Sequence, residues 1–123
     1  MKVLIADDNR EFRRLVRDYL PAACDEIIEC DNGKKAVELY SRYQPNWVLM
    51  DWEMPEMDGV SAIRQIISQY PQARICMITA FDEKELRGEA IRAGASKFVL
   101  KDNLFELESI LTGQSSTGLG ASP

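Results

Sequence analysis

Residues 47–59 read WVLMDWEMPEMDG. Four apolar residues, Trp47 to Met50, run without a break and stop on an acid, Asp51; Pro55, further acids and Gly59 follow. An ionised carboxylate at the end of a buried run is costly unless something compensates it. An apolar run this short, bounded by turn residues, reads as a strand covered on both faces, as a parallel sheet requires. Asp51 then stands at a strand's carboxyl end, where open α/β sheets hold their ligands.

Four more runs match: Val3–Ala6, Ile27–Cys30, Ile75–Ile78 and Lys97–Leu100. Helical spacing fills the intervals, through Phe12, Leu15, Val16, Tyr19 and Leu20, then Ala36, Val37, Leu39 and Tyr40. It continues through Ile63, Ile66, Ile67 and Tyr70, then Leu86, Ala90 and Ile91, with a last short helix over 104–111. Asp82 and Asn103 each precede a glutamate by three, the spacing of a capping box. Pro21, Pro45 and Pro71 fall in connections, and Gly94 suits a helix C-cap. The pattern predicts an α/β fold: one doubly wound (βα)5 domain with a five-stranded parallel sheet and helices on both faces.

The polar residues after the strands are the informative ones. They are Asp7 and Asp8 after the first, Asp51 after the third, Thr79 after the fourth and Lys101 after the fifth. In this fold all five converge on one edge of the sheet. Three crowded carboxylates repel, so protons or a cation must offset them. Mg2+ fits, because it prefers oxygen ligands and often uses one or two carboxylates. A carboxylate beside Mg2+ and a lysine can act as a nucleophile toward a phosphoryl group.

The composition agrees. The 123 residues carry a net charge of −5, which argues against sequence-independent nucleic-acid binding by the domain itself and suits a cation site. There is no histidine, so histidine-built zinc sites and triads are excluded. Three cysteines, Cys24, Cys30 and Cys76, lack C-x-x-C spacing and predict free thiols in a reducing compartment. With no membrane-length run and an N-terminus (MKVLIADD) that turns acidic early, the expectation is a cytoplasmic protein without membrane contact.

Over residues 1–112 the chain resembles the receiver domain of bacterial two-component response regulators. The matching residues are Asp7-Asp8, the Asp51-x-x-Met54-Pro55-x-Met57-Asp58-Gly59 loop, Thr79-Ala80, Ala93-Gly94-Ala95, Phe98 and Lys101. The resemblance implies a flavodoxin-like strand order 2-1-3-4-5, an order the family is known for. It implies Asp51 as phosphoacceptor, Asp8 as a direct Mg2+ ligand, Asp7 as a ligand through water, and Asp51 and the Glu53 backbone carbonyl completing the set. Lys101 pairs with Asp51 or its phosphate, Thr79 moves toward the phosphoryl group, and Phe98 turns inward behind it. Glu53 and Phe81 flank the path of attacking water. The implied donor is a histidine kinase or phosphotransfer protein. The implied output surface is the face of the fourth helix, fifth strand and fifth helix, which also serves homodimerisation. The Leu-Lys-Asp ending, with Asp102 where many relatives have proline, resembles receivers that control a helix-turn-helix domain, through which alone DNA would be met. Such a domain is a signalling switch that modifies only itself.

Other readings stand beside this one. Asp51-Trp52-Glu53 approaches the Asp-x-Asp nucleophile motif of haloacid-dehalogenase-type phosphatases, but that family places its nucleophile on the first strand. A degenerate receiver would bind without phosphorylation, and a flavodoxin would need a phosphate loop after the first strand that this chain lacks. Arg10, Arg13, Arg14 and Arg17 form either a solvated face of the first helix or a docking surface for an acidic patch on the kinase. Residues 113–123, Gly/Ser-rich, read as a flexible tail or the start of a linker to an output domain.

Overall fold

The computed structural model describes residues 1–113. The reading of the Gly/Ser-rich tail therefore concerns residues that lie, from 114 on, outside the described ones. Strands and helices alternate: β1 (Lys2–Ala6), α1 (Arg10–Asp18), β2 (Glu26–Cys30), α2 (Gly33–Tyr43), β3 (Trp47–Asp51), α3 (Gly59–Gln69), β4 (Ile75–Thr79), α4 (Lys84–Ala93) and β5 (Lys97–Leu100). A 3₁₀ segment, Lys101–Glu106, then leads into α5 (Leu107–Thr112). All four strand pairings are parallel and the order is β2-β1-β3-β4-β5.

Alternation along the strands sorts the core into two layers. Leu4, Val48, Met50, Ile75 and Met77 face α2, α3 and α4, where they meet Ala36, Ile63, Ile66 and Ala90. Val3, Ile5, Leu49, Cys76 and Val99 face α1 and α5, where they meet Val16, Leu107 and Leu111. Each large aliphatic so buried contributes roughly 1.5–3 kcal/mol. Covering on both faces holds throughout β3 and β4. The edge strands depart from it: Glu26 and Glu29 of β2 and Lys97 of β5 are exposed, because an edge strand has a neighbour on one side only.

Three other expectations need correction. Leu15 and Tyr19 of α1 and Ile91 of α4 are exposed rather than core, since a helix lying on a sheet buries a narrower stripe than apolar spacing alone suggests. Helix α4 begins after Glu83 without a side-chain cap, and Asp82 binds Arg87 instead, at 2.6 Å. Asn103 has non-helical backbone angles, and α5 proper starts three residues later than expected. Gly94 does end α4, with φ +117°, and no cis peptide occurs among the described residues. The three cysteines are free and buried.

Candidate functional site

The carboxyl edge of the sheet carries a cavity of about 270 Å³ lined by Asp8, Asn9, Asp51, Glu53, Thr79, Ala80, Phe81 and Lys101. Five βα junctions build this edge, so residues 93 positions apart in sequence meet there. Asp51 is the last residue of β3 and is buried, at 8% exposure. Its register partner on β4 is Ile78, one residue short of Thr79. Asp7 is also buried, and Asp8 is exposed at the mouth. Carboxylate oxygens of Asp7, Asp8 and Asp51 all lie within 4.8 Å of one another.

Lys101 reaches between the acids. Its Nζ lies 3.0 Å from Asp7 Oδ2 and 3.4 Å from Asp51 Oδ1. Burial, and then the negative charge of Asp7, push the Asp51 carboxyl up to about 6, although Lys101 acts in the opposite direction. Burial also works against the Lys101 charge, but its hydrogen bond to Asp7 and the charges of both acids prevail and hold the ammonium above its ordinary value. The cost of Asp51 at the end of a buried run is thus only partly offset by the lysine. The remainder is a site for positive charge, and its all-oxygen donor set suits a hard divalent ion such as Mg2+.

The other expected residues divide. Thr79, 1% exposed, lies at the cavity wall, where its Oγ1 accepts from the Phe81 N–H at 3.3 Å. Glu53 and Phe81 line the cavity and are exposed. Phe98 lies outside the lining. It is half-buried against the α2–α3–α4 layer, with the Arg87 guanidinium 4.5 Å from its ring centroid.

The loop after β3 is held by two close backbone approaches. The Gly59 N–H donates to the Trp52 carbonyl at 2.7 Å, and the Gly33 N–H donates to the Met57 carbonyl at 3.0 Å. A Cβ on Gly59 would sit 2.0 Å from the Asp51 carbonyl oxygen, and one on Gly33 would sit 2.2 Å from that of Met57. Gly59 is therefore required by packing at the end of β3.

Sequence reasoning missed three neighbours of the acids. Asn9, not Asp7 or Asp8, caps α1: its Oδ1 accepts from the Phe12 N–H at 2.9 Å, while its own N–H donates to Asp7 Oδ1 at 2.8 Å. The preference of asparagine for an N-cap was the available signal. Phe12 puts its ring beside the Lys101 ammonium, and Arg13 donates to the Asp7 carbonyl at 2.6 Å. The arginines of α1 are not one solvated face either. Arg13 and Arg17 both bind Glu29 of β2, at 2.8 and 2.7 Å, while Arg10 and Arg14 are exposed.

Comparison with known proteins gives a consistent result. The family model "Response regulator receiver domain" matches residues 3–112. The chain is 37% identical to the chemotaxis protein CheY of Bacillus subtilis over 117 residues, covering 94% of this chain and 96% of that one. It is 38% identical over 104 residues to the transcriptional regulatory protein YhcZ of the same organism, covering 83% of this chain but 49% of that one. Among solved structures, the receiver domain of a putative NarL from Mycobacterium tuberculosis superposes with a TM-score of 0.80 at 30% identity, covering 91% of this chain and 93% of that one. No helix among the described residues is long and apolar enough to cross a membrane.

Proposed function

This chain belongs to the response regulator receiver family, a family of phosphorelay signalling domains, and from that premise we propose that it takes a phosphoryl group onto Asp51 from a histidine kinase or phosphotransfer protein. One observation carries the reading: the carboxylates of Asp7, Asp8 and Asp51, from the ends of β1 and β3, cluster around Lys101 from the end of β5, and Asp8, Asp51 and Lys101 line one cavity with Thr79 at the end of β4. An Asp51 carboxylate oxygen attacks the phosphorus of a phosphohistidine. The P–N bond breaks, an acyl phosphate forms, and the leaving imidazole nitrogen keeps the electron pair and takes a proton. Lys101 meets the charge on the transferred oxygens, and Thr79 donates to one of them after its hydroxyl turns toward the phosphate. Asp7, Asp8, Asp51 and the Glu53 carbonyl are the residues that would hold Mg2+, which supplies Lewis-acid stabilisation of the phosphoryl oxygens when bound.

The reaction changes the protein itself, so the domain acts as a switch. Phosphorylation biases the face formed by α4, β5 and α5, with Phe98 turning inward behind Thr79. Ile91 on α4 and Phe105 before α5 are the exposed apolar residues that fit a homodimer there, at 59% and 68% exposure. Similarity to both a chemotaxis protein and a transcriptional regulator leaves two outputs, a protein target or a tethered DNA-binding domain.

The test is intact mass after incubation with acetyl phosphate, with and without Mg2+, for the wild type, Asp51→Asn and Asp8→Asn. The expected result is one phosphoryl adduct that disappears without Mg2+ or in Asp51→Asn, and forms more slowly in Asp8→Asn. A folded wild type that forms no adduct and binds no beryllofluoride sinks the reading and leaves a receiver used only for binding. Turnover of a generic phosphate ester would instead favour the phosphatase chemistry.

A further inference from the structure

The Lys101 ammonium has a third neighbour besides the two acids. Its Nζ lies 4.2 Å from the centroid of the Phe12 ring, within the distance at which the negative face of an aromatic attracts a cation. We propose that Phe12 is a positioning residue for Lys101, holding the ammonium over Asp51 through the face of its ring; this rests on the phosphoacceptor reading of the site.

The ring is referenced to the site by its own backbone. The Phe12 N–H donates to Asn9 Oδ1, and the Asn9 N–H donates to Asp7 Oδ1. Asp7 offers its other oxygen to Lys101. One turn of chain therefore fixes the ring relative to the carboxylate that the ammonium touches. The Phe12 side chain is also packed against the α1–α5 layer of the core, which restricts its tilt. The lysine side chain is 24% exposed, and a partly desolvated cation gains more from an aromatic face than one in open water.

Charge explains why a ring is useful here. Asp7 and Asp51 are the groups a bound cation would neutralise, and any such cation competes with Lys101 for both. An uncharged ring face is not competed for in this way. It keeps the ammonium in place when its two acidic partners are engaged elsewhere. A purely core role for Phe12, the expectation from helical spacing, asks for volume and greasy surface but not for electron density on the ring. The two roles therefore separate by experiment.

The test replaces Phe12 in the full chain with 4-fluoro-, 3,5-difluoro- and 3,4,5-trifluorophenylalanine, which withdraw electron density from the face at nearly constant shape. With phosphoramidate as donor and saturating Mg2+, the maximal phosphorylation rate should fall stepwise, by about three- to tenfold at the third fluorine. Half-saturation by the donor should stay constant. Phe12→Leu should lie at or below the end of the series, and Phe12→Tyr should keep near wild-type rates. A second readout needs no activity: the Lys101 ε-methylene protons should show an upfield ring-current shift that Phe12→Leu abolishes. A flat rate series in folded variants, or no ring-current shift in the wild type, overturns the proposal while leaving Asp51 as acceptor. A wild type that takes up no phosphoryl group overturns the acceptor reading and this role of Phe12 with it.

Discussion

At Asp51 the chain keeps a carboxylate where its charge is poorly solvated, and that has a thermodynamic consequence. Its pKa is pushed up to about 6 from 3.8 for the free side chain. Between those values the folded protein binds the proton more tightly than the unfolded chain. This group's stabilising contribution is therefore full below about pH 4 and is lost as the pH rises through 6. Two pKa units correspond to about 3 kcal/mol at neutral pH in the metal-free protein, which solvent screening at the open cavity reduces to about 1–2 kcal/mol. Asp51→Asn should then unfold at a higher temperature than the wild type at pH 7.5, by about 1–2 kcal/mol or several degrees, with the advantage gone at pH 4. Thermal scans at the two pH values check this; equal midpoints at pH 7.5 would mean that Lys101 compensates the acid in full. At this scale the sequence was highly informative about which residues meet, because each stood directly after an apolar run. It was silent on Phe12 and Asn9, whose relation to the acids depends on how α1 leaves β1.

Among elements, the loop between β3 and α3 and the contact of α4 with β5 make separate predictions. Gly59 admits no Cβ against the Asp51 carbonyl, so Gly59→Ala should cost more than about 2 kcal/mol in urea denaturation and displace Asp51, the proposed acceptor. Chain shift at low cost would appear as wild-type stability and an unchanged phosphorylation rate. On β5 the Phe98 ring lies under Arg87, which is itself tied to Asp82. A ring that turns inward on phosphorylation must leave that guanidinium. Arg87→Ala should therefore ease switching and raise beryllofluoride affinity about two- to fivefold, the range an exposed cation–π contact supports. Unchanged or weaker affinity would assign Arg87 to surface structure alone. Helix and strand existence was legible from periodicity, while the ends of α4 and α5 were not. The Asp82–Glu85 and Asn103–Glu106 spacings looked like capping boxes, yet a tertiary ion pair took Asp82 and a non-helical Asn103 interrupted the second.

For the whole molecule, the proposed switch and the exposed Ile91 and Phe105 together lead to a prediction of self-association. With beryllofluoride and Mg2+, sedimentation should show a dimer, and Ile91→Ser together with Phe105→Ser should return it to a monomer. A wild type that stays monomeric up to about 100 μM, a concentration at which weak specific pairs still form, would reserve that face for a different partner. Glu29, bound by Arg13 and Arg17, links α1 to the edge strand β2 and occupies two of the four arginines that sequence alone presented as one face. Burial opposes its charge, but the two guanidiniums outweigh burial and hold its carboxyl below the usual range.

The sequence by itself determined the alternation of strands and helices, the parallel sheet and the five polar residues at its carboxyl edge. These follow from local rules: apolar runs must be buried, and polar residues that end them must meet water or one another. The family's strand order came through resemblance, because local pattern does not rank topologies. Only the tertiary structure decided the distances within the acidic site, the arginines' division of labour, and which apolar helix residues stay in solvent. Those depend on pairs far apart in sequence, Lys101 with Asp7 and Phe12, and Arg87 with Phe98, whose approach is set by packing across the whole sheet.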